Sequence, residues 1–140
     1  NTIVHGVTKG SVNKNGKEIG ILKILNDGAG WRAGVVNNII KEHNETKATQ
    51  KIDMTNIDVF EFPDVEQLNG NKTEYKNCFN IRICFNSIMN FKELKLRGND
   101  IYNSLEDGGL FIAANVEGMD PALLDTLAAI LKDDYKMHIL

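Results

Sequence analysis

The C-terminal stretch GLFIAANVEGMDPALLDTLAAILKDDY, residues 109 to 135, constrains this chain more than any other. The apolar run Leu110 to Val116 has the length of one strand and offers no polar face to solvent, which predicts a central strand covered on both sides. A turn at Glu117-Gly118 follows. Asp120 is placed to accept hydrogen bonds from the free amides of a first helical turn, and Pro121 suits the first helical position. Leu124, Leu127, Ala128, Leu131 and Tyr135 then recur at helical spacing and predict a buried stripe on a helix over 121–135.

Upstream, residues 2 to 25 read as a β-hairpin around Asn13-Lys14-Asn15-Gly16, because Asn-Gly tolerates the positive φ of a tight turn. Val35, Val36, Ile39, Ile40 and His43 share one helical face and predict a helix of about three turns. NETKATQK, residues 44 to 51, reads as a loop. NIDVFEF, residues 56 to 62, is a strand candidate ended by Pro63. In CFNIRICF, residues 78 to 85, Phe79, Ile81, Ile83 and Phe85 alternate with Asn80, Arg82 and Cys84, which predicts a strand. FKELKLRG, residues 91 to 98, reads as a second, charged strand near an edge. The expected order is β-β-α-β-β-β-β-α. It predicts one α+β domain over residues 1–140, with a mainly antiparallel β-sheet flanked by helices.

At 140 residues the chain suits one domain, and 42% apolar with 25% charged residues is the balance of a globular protein. A net charge of −3 argues against nucleic acid as a partner. The longest apolar runs fall well short of the roughly 20 residues that span a bilayer, so no membrane insertion is expected. No signal-peptide pattern opens the sequence, and the sequons at Asn44 and Asn71 read as chance in a chain rich in asparagine. A cytoplasmic location is the expectation. Cys78 and Cys84, on one strand, start roughly 20 Å apart, too far for a disulfide. With two thiols and three scattered histidines, no metal site is expected.

No nucleophile elbow, HExxH or P-loop occurs, and no spacing forces two carboxylates together, so the chain reads as a non-enzymatic protein without a cofactor. Each of His5, His43 and His138 suits a packing role. One segment points to a ligand. Between a strand and a helix lies Gly28-Ala29-Gly30-Trp31-Arg32-Ala33-Gly34. Backbone amides there suit a phosphate, Arg32 could pair with it, and Trp31 could stack on a base. Gly28, Gly30, Trp31 and Arg32 are therefore candidate contacts for a nucleotide or cyclic nucleotide. The competing explanation is a plain glycine-rich turn, since the spacing is GxGxxxG and a hairpin precedes it. Asn80, Arg82, Lys92, Lys95 and Arg97 suggest a mildly basic surface.

The terminal strand, turn and helix, GLFIAANVEGMDPALLDTLAAIL, resemble the end of profilins. GSVNKNGKEIGIL resembles the first profilin hairpin, residues 33 to 43 the helix after it, and FKELKLRGNDIYNSLEDGGLFIAANV the late strands. The resemblance follows the order of elements over most of the chain and is most specific in the last thirty residues. Two features depart from it: no amphipathic helix with a tryptophan opens the chain, and residues 44 to 77 are longer and more polar. A divergent, archaeal-type profilin fits these differences. The resemblance implies a profilin-like fold and binding of monomeric actin, or an actin homologue, in the control of filament assembly. It implies an interface of Lys95, Arg97, Asp120, Asp125, Thr126, Ala129 and Lys132. Of the family's polyproline site only Tyr135 and His138 remain, and phosphoinositides are the other ligand class it suggests. Roadblock-type scaffold domains share the same hairpin-and-helix texture.

Overall fold

The computed structural model describes residues 3–9, 21–28, 33–46, 51–57, 73–88, 90–115 and 118–139. The elements are β1 (Ile3–Thr8), β2 (Ile21–Asp27), α1 (Ala33–Glu45), β3 (Lys51–Ile57), β4 (Phe79–Phe85), α2 (Leu94–Ser104), β5 (Leu105–Asn115), α3 (Ala122–Tyr135) and β6 (His138–Ile139). All six strands join one sheet in the order β3-β2-β4-β5-β1-β6. Among the described residues the fold is α+β, one mixed six-stranded sheet with three α-helices.

The sheet is not mainly antiparallel. β2 runs parallel to both β3 and β4, and β4 runs parallel to β5. Only β1 is antiparallel, to β5 on one side and β6 on the other. The expected hairpin of residues 2 to 25 is therefore overturned, because its two strands are not neighbours. Parallel neighbours need crossover connections, and α1 and α2 supply two of them.

The second crossover was hidden in FKELKLRG, which is not a strand. A short 3₁₀ turn spans Phe91–Glu93, and Asn90 accepts from the Lys92 amide at 2.9 Å. α2 follows directly. Its buried residues are Leu94, Arg97, Gly98, Asp100, Ile101 and Ser104, and Leu94, Gly98, Ile101 and Ser104 among them fall three or four apart, the helical period. With Phe91 and Leu94 three apart and Leu94 and Leu96 two apart, these eight residues satisfy helix and strand patterns alike. β3 also begins earlier than the expected strand; residues 58 to 62 lie outside the described residues.

The main core gathers α2, α3, β1 and β5 through Val7, Ile101, Leu105, Phe111, Leu124 and Leu131. Gly98 lets α2 approach α3, since a Cβ there would stand 3.1 Å from Ile130 Cγ2. The Tyr102 and Tyr135 rings close the same junction at 4.9 Å. The terminal helix matches its sequence signals. Asp120 Oδ1 accepts from the Ala122 amide at 2.9 Å, and Leu124, Leu127, Ala128 and Leu131 are buried together with Leu123. β5 is central as expected, between β4 and β1, although only one of its faces is fully buried, the one carrying Phe111 and Ala113.

At the end of β1 a buried lysine takes the place of apolar packing. Lys9 Nζ donates to Asn77 Oδ1 (2.9 Å), Tyr102 O (3.0 Å) and Leu105 O (2.7 Å), and lies 4.1 Å from the Tyr102 ring centre. Burial lowers its pKa and Asp107 opposes that shift. Three acceptors match the three donors of an ammonium, so Lys9 acts as a charged staple between β1 and the α2–β5 junction.

Leu127 is packed in the middle of this core. Leu127→Ala is expected to cost about 2 to 5 kcal/mol in denaturant unfolding, the range for a buried leucine leaving a cavity.

Candidate functional site

The chain leaves β2 through α1 to β3 on one side, and leaves β4 through α2 to β5 on the other. Strand order therefore reverses between β2 and β4. In open sheets with parallel strands, such a reversal leaves a crevice at the carboxyl ends of the two strands, where ligands bind. The glycine segment begins at this point. In the sequence it follows β2 and precedes α1, which joins two parallel strands, so the hairpin that argued for a plain turn is absent.

On the β2 side, Gly28 adopts φ +85° and its amide donates to Ile57 O at 2.9 Å. A side chain there would be strained by this φ and would also strike Ser87, whose Cβ lies 2.8 Å from the position of an added Cβ. Glycine is thus required for close approach of the two strand ends. On the β4 side, Phe85 is 50% exposed, Asn86 takes a left-handed φ of +61°, and its amide donates to Ala114 O at 2.8 Å. Asn115, ending β5, donates to Ile88 O at 3.0 Å, and its Oδ1 has no protein partner. α1 carries no acidic residue in its first turn, which leaves its positive dipole end uncompensated. Of the four candidate ligand contacts, Gly28 stands at the reversal of strand order, packed against Ser87; Gly30, Trp31 and Arg32 lie outside the described residues.

Next to Gly28, Asp27 belongs to a buried ionic cluster. Arg82, fully buried in β4, donates through Nη2 to Asp27 Oδ2 at 2.7 Å and to Asp100 Oδ2 at 2.5 Å. Its Nη1 reaches Ser104 Oγ at 3.2 Å. Arg97 Nη1 stands 3.6 Å from Asp27 Oδ2, and its Nη2 donates to Ser87 O at 2.9 Å. Two guanidinium groups and two carboxylates make the cluster neutral. Burial works against the charge on Arg82, and Asp100 and Asp27 more than offset it, so its pKa rises well above the ordinary value. Cys84 Sγ donates to Asp27 Oδ2 at 3.2 Å. Burial and the neighbouring carboxylate push this thiol up to about 12.

The expected basic surface is therefore not one surface. Asn80, Arg82 and Arg97 are buried, whereas Lys92 and Lys95 are exposed. Arg97 leaves the proposed actin interface for the same reason: it is directed inward to Asp27 and Ser87. Asp120, Asp125, Thr126, Ala129 and Lys132 are all exposed, as a protein-binding strip on α3 requires. Tyr135 is half-buried against Tyr102 and its hydroxyl donates to Asn99 Oδ1 at 3.3 Å, while His138 is exposed on β6. Sequence reasoning missed Asp27 and Asp100. The one available signal was Arg82, a lone charge in an otherwise apolar strand.

Among the described residues no three metal-binding side chains gather, and no helix is long and apolar enough to cross a membrane. The chain matches no family model, no curated protein and no solved structure.

The two thiols are expected to differ in reactivity, because the thiolate is the nucleophile. Cys78 is half-buried and Cys84 buried. A disulfide reagent at mild alkaline pH should label Cys78 in the folded protein and Cys84 only after denaturation. The same shift has a defined pH sign. Between the ordinary thiol value of 9.0 and about 12, the unfolded chain loses the Cys84 proton and the folded one keeps it. This contribution is fully present below pH 9.0 and is lost as pH rises toward about 12. Urea midpoints for Cys84→Ser should be less sensitive over that window than those of the parent.

Proposed function

We propose that the protein is a non-enzymatic binding module that takes a small anionic ligand, of the nucleotide or cyclic-nucleotide class, at the loop beyond β2. The observation that carries this reading is the reversal of strand order between β2 and β4, with Gly28 at the turn. Three further features support it. The dipole of α1 faces the loop without an acidic residue in its first turn. Arg32 supplies a bidentate donor to a phosphate, and Trp31 a stacking ring, within the loop sequence. Phe85 offers a second exposed ring at the end of β4.

Trp31 is the only tryptophan, so its fluorescence reports on this loop alone. A panel of nucleotides and cyclic nucleotides should quench it saturably, and Arg32→Ala should weaken the effect about tenfold, the loss of a charge-assisted hydrogen bond. A panel that leaves both fluorescence and calorimetric heat unchanged rules out this site.

A second reading, profilin-like recognition of an actin monomer or actin homologue through α3, is favoured by one observation. Asp125, Thr126, Ala129 and Lys132 form an exposed strip opposite the buried leucines, with a small residue at its centre. Ala129→Arg should change stability by less than about 0.5 kcal/mol, as exposed positions do. On this reading the same change abolishes any slowing of actin polymerisation by the parent. A folded variant as active as the parent removes α3 from the interface.

A further inference from the structure

Among the described residues β3 is an edge strand, with no strand beside one of its two rows of backbone groups. Ile57 O accepts from Gly28, which follows β2, so Ile57 faces the sheet. By alternation the N–H and C=O groups of Ile52, Met54 and Asn56 turn outward. The groups of Ile52 are already engaged. Asn44, in the last turn of α1, donates from Nδ2 to Ile52 O at 2.8 Å and accepts at Oδ1 from the Ile52 amide at 2.8 Å. A carboxamide has the donor and acceptor of a peptide group, and here it occupies the place that a peptide of an incoming strand would take.

We propose that the outer edge of β3 is a pairing surface for a second copy of this chain, held shut by Asn44. The choice of a second copy rests on charge register. An antiparallel pair with its two-fold axis at Ile52 sets Lys51 opposite the partner's Asp53, and Asp53 opposite the partner's Lys51. Both side chains are exposed. Opposite charges directly across two strands favour pairing, and the two-fold repeats the favourable pair on each side of the axis. Lys51 also belongs to the closed state, because its Nζ donates to Asn44 O and to Thr46 O. Withdrawal of the α1 end therefore frees the Ile52 peptide groups and the Lys51 ammonium together. Beside the strand, Asn37, Ile40 and Lys41 border a groove of about 530 Å³ that leaves room for the side chains of an added strand.

The test is sedimentation equilibrium over a wide concentration range, with circular dichroism to establish that each variant is folded. Asn44→Ala should tighten dimerisation about tenfold or more, since the incoming strand no longer displaces two hydrogen bonds per copy. Adding Lys51→Glu, which opposes two like charges, should reverse that gain. Adding Asp53→Lys to the same chain should restore it, because the pair is then re-formed with its signs exchanged. Should Asn44→Ala fail to fold, the Lys51→Glu loss and its rescue by Asp53→Lys are read on the parent at higher concentration. A folded Asn44→Ala that associates no more than the parent overturns the proposal, as does association indifferent to both charge changes.

Discussion

The ion cluster centred on Arg82 is the constraint on which the arrangement of this protein depends. A guanidinium in the interior is strongly unfavourable unless its charge and its hydrogen bonds are met. Here the charge is met from two other elements, by Asp27 at the end of β2 and Asp100 on α2, with Ser104 of α2 a third hydrogen-bond partner, while Nε has none. The demand of one side chain thus fixes α2 over β4 and draws the end of β2 toward it. Replacing such a cluster with apolar residues is often neutral for stability, so its significance is positional rather than energetic. It determines where the carboxyl ends of β2 and β4 meet. Arg97 extends the tie by holding the carbonyl of Ser87, whose side chain stands against Gly28.

The same cluster explains what the sequence could and could not reveal. α3 was readable because its stability is local and apolar: Asp120, Pro121 and a leucine stripe state start, face and length. β4 was readable as a strand, but its inner face was assigned wrongly. Alternation distinguishes two faces without saying which is covered, and the apolar set was the natural choice for the inside. Arg82 and Cys84 occupy that inside because partners distant in sequence neutralise the charge, and no local pattern announces them. α2 failed for a related reason. Its buried positions include Arg97, Asp100 and Ser104, so the apolar period that identifies helices is broken at the residues that bind the cluster. With α2 taken for a strand, no second crossover remained, and an antiparallel sheet was the consistent deduction from an incorrect element. The crevice inherited this error, since a glycine loop acquires its meaning only when the strands around it are parallel.

The two halves of the sheet are held by different chemistry, and the difference bears on function. Around β5, α2 and α3 the contacts are apolar and extensive. Around β2, β3 and α1 the buried apolar cluster is small, consisting of Leu25, Ile57 and Phe79 with Tyr75 and Cys78 beside it. α1 leaves Val35 59% and Ile39 61% exposed, so half of its apolar stripe contributes little to its attachment. What fastens it is a series of amides: Asn56 Nδ2 donates to Asn37 Oδ1 at 2.9 Å, Asn26 Nδ2 to Asn56 Oδ1 at 3.2 Å, and Asn44 bridges Ile52. Each such bond contributes only about 1 kcal/mol net, because water can replace it. Local opening free energies follow the density of buried apolar contact, and the elements that move are drawn from the low end of that range. Among the described elements, α1 and the outer edge of β3 are therefore held by the least buried apolar contact. That part carries the loop proposed to receive a ligand at one end of α1 and the Asn44 clasp at the other. The half with the extensive apolar core, which carries the ion cluster at its margin, supplies the firmer frame to which that part is attached.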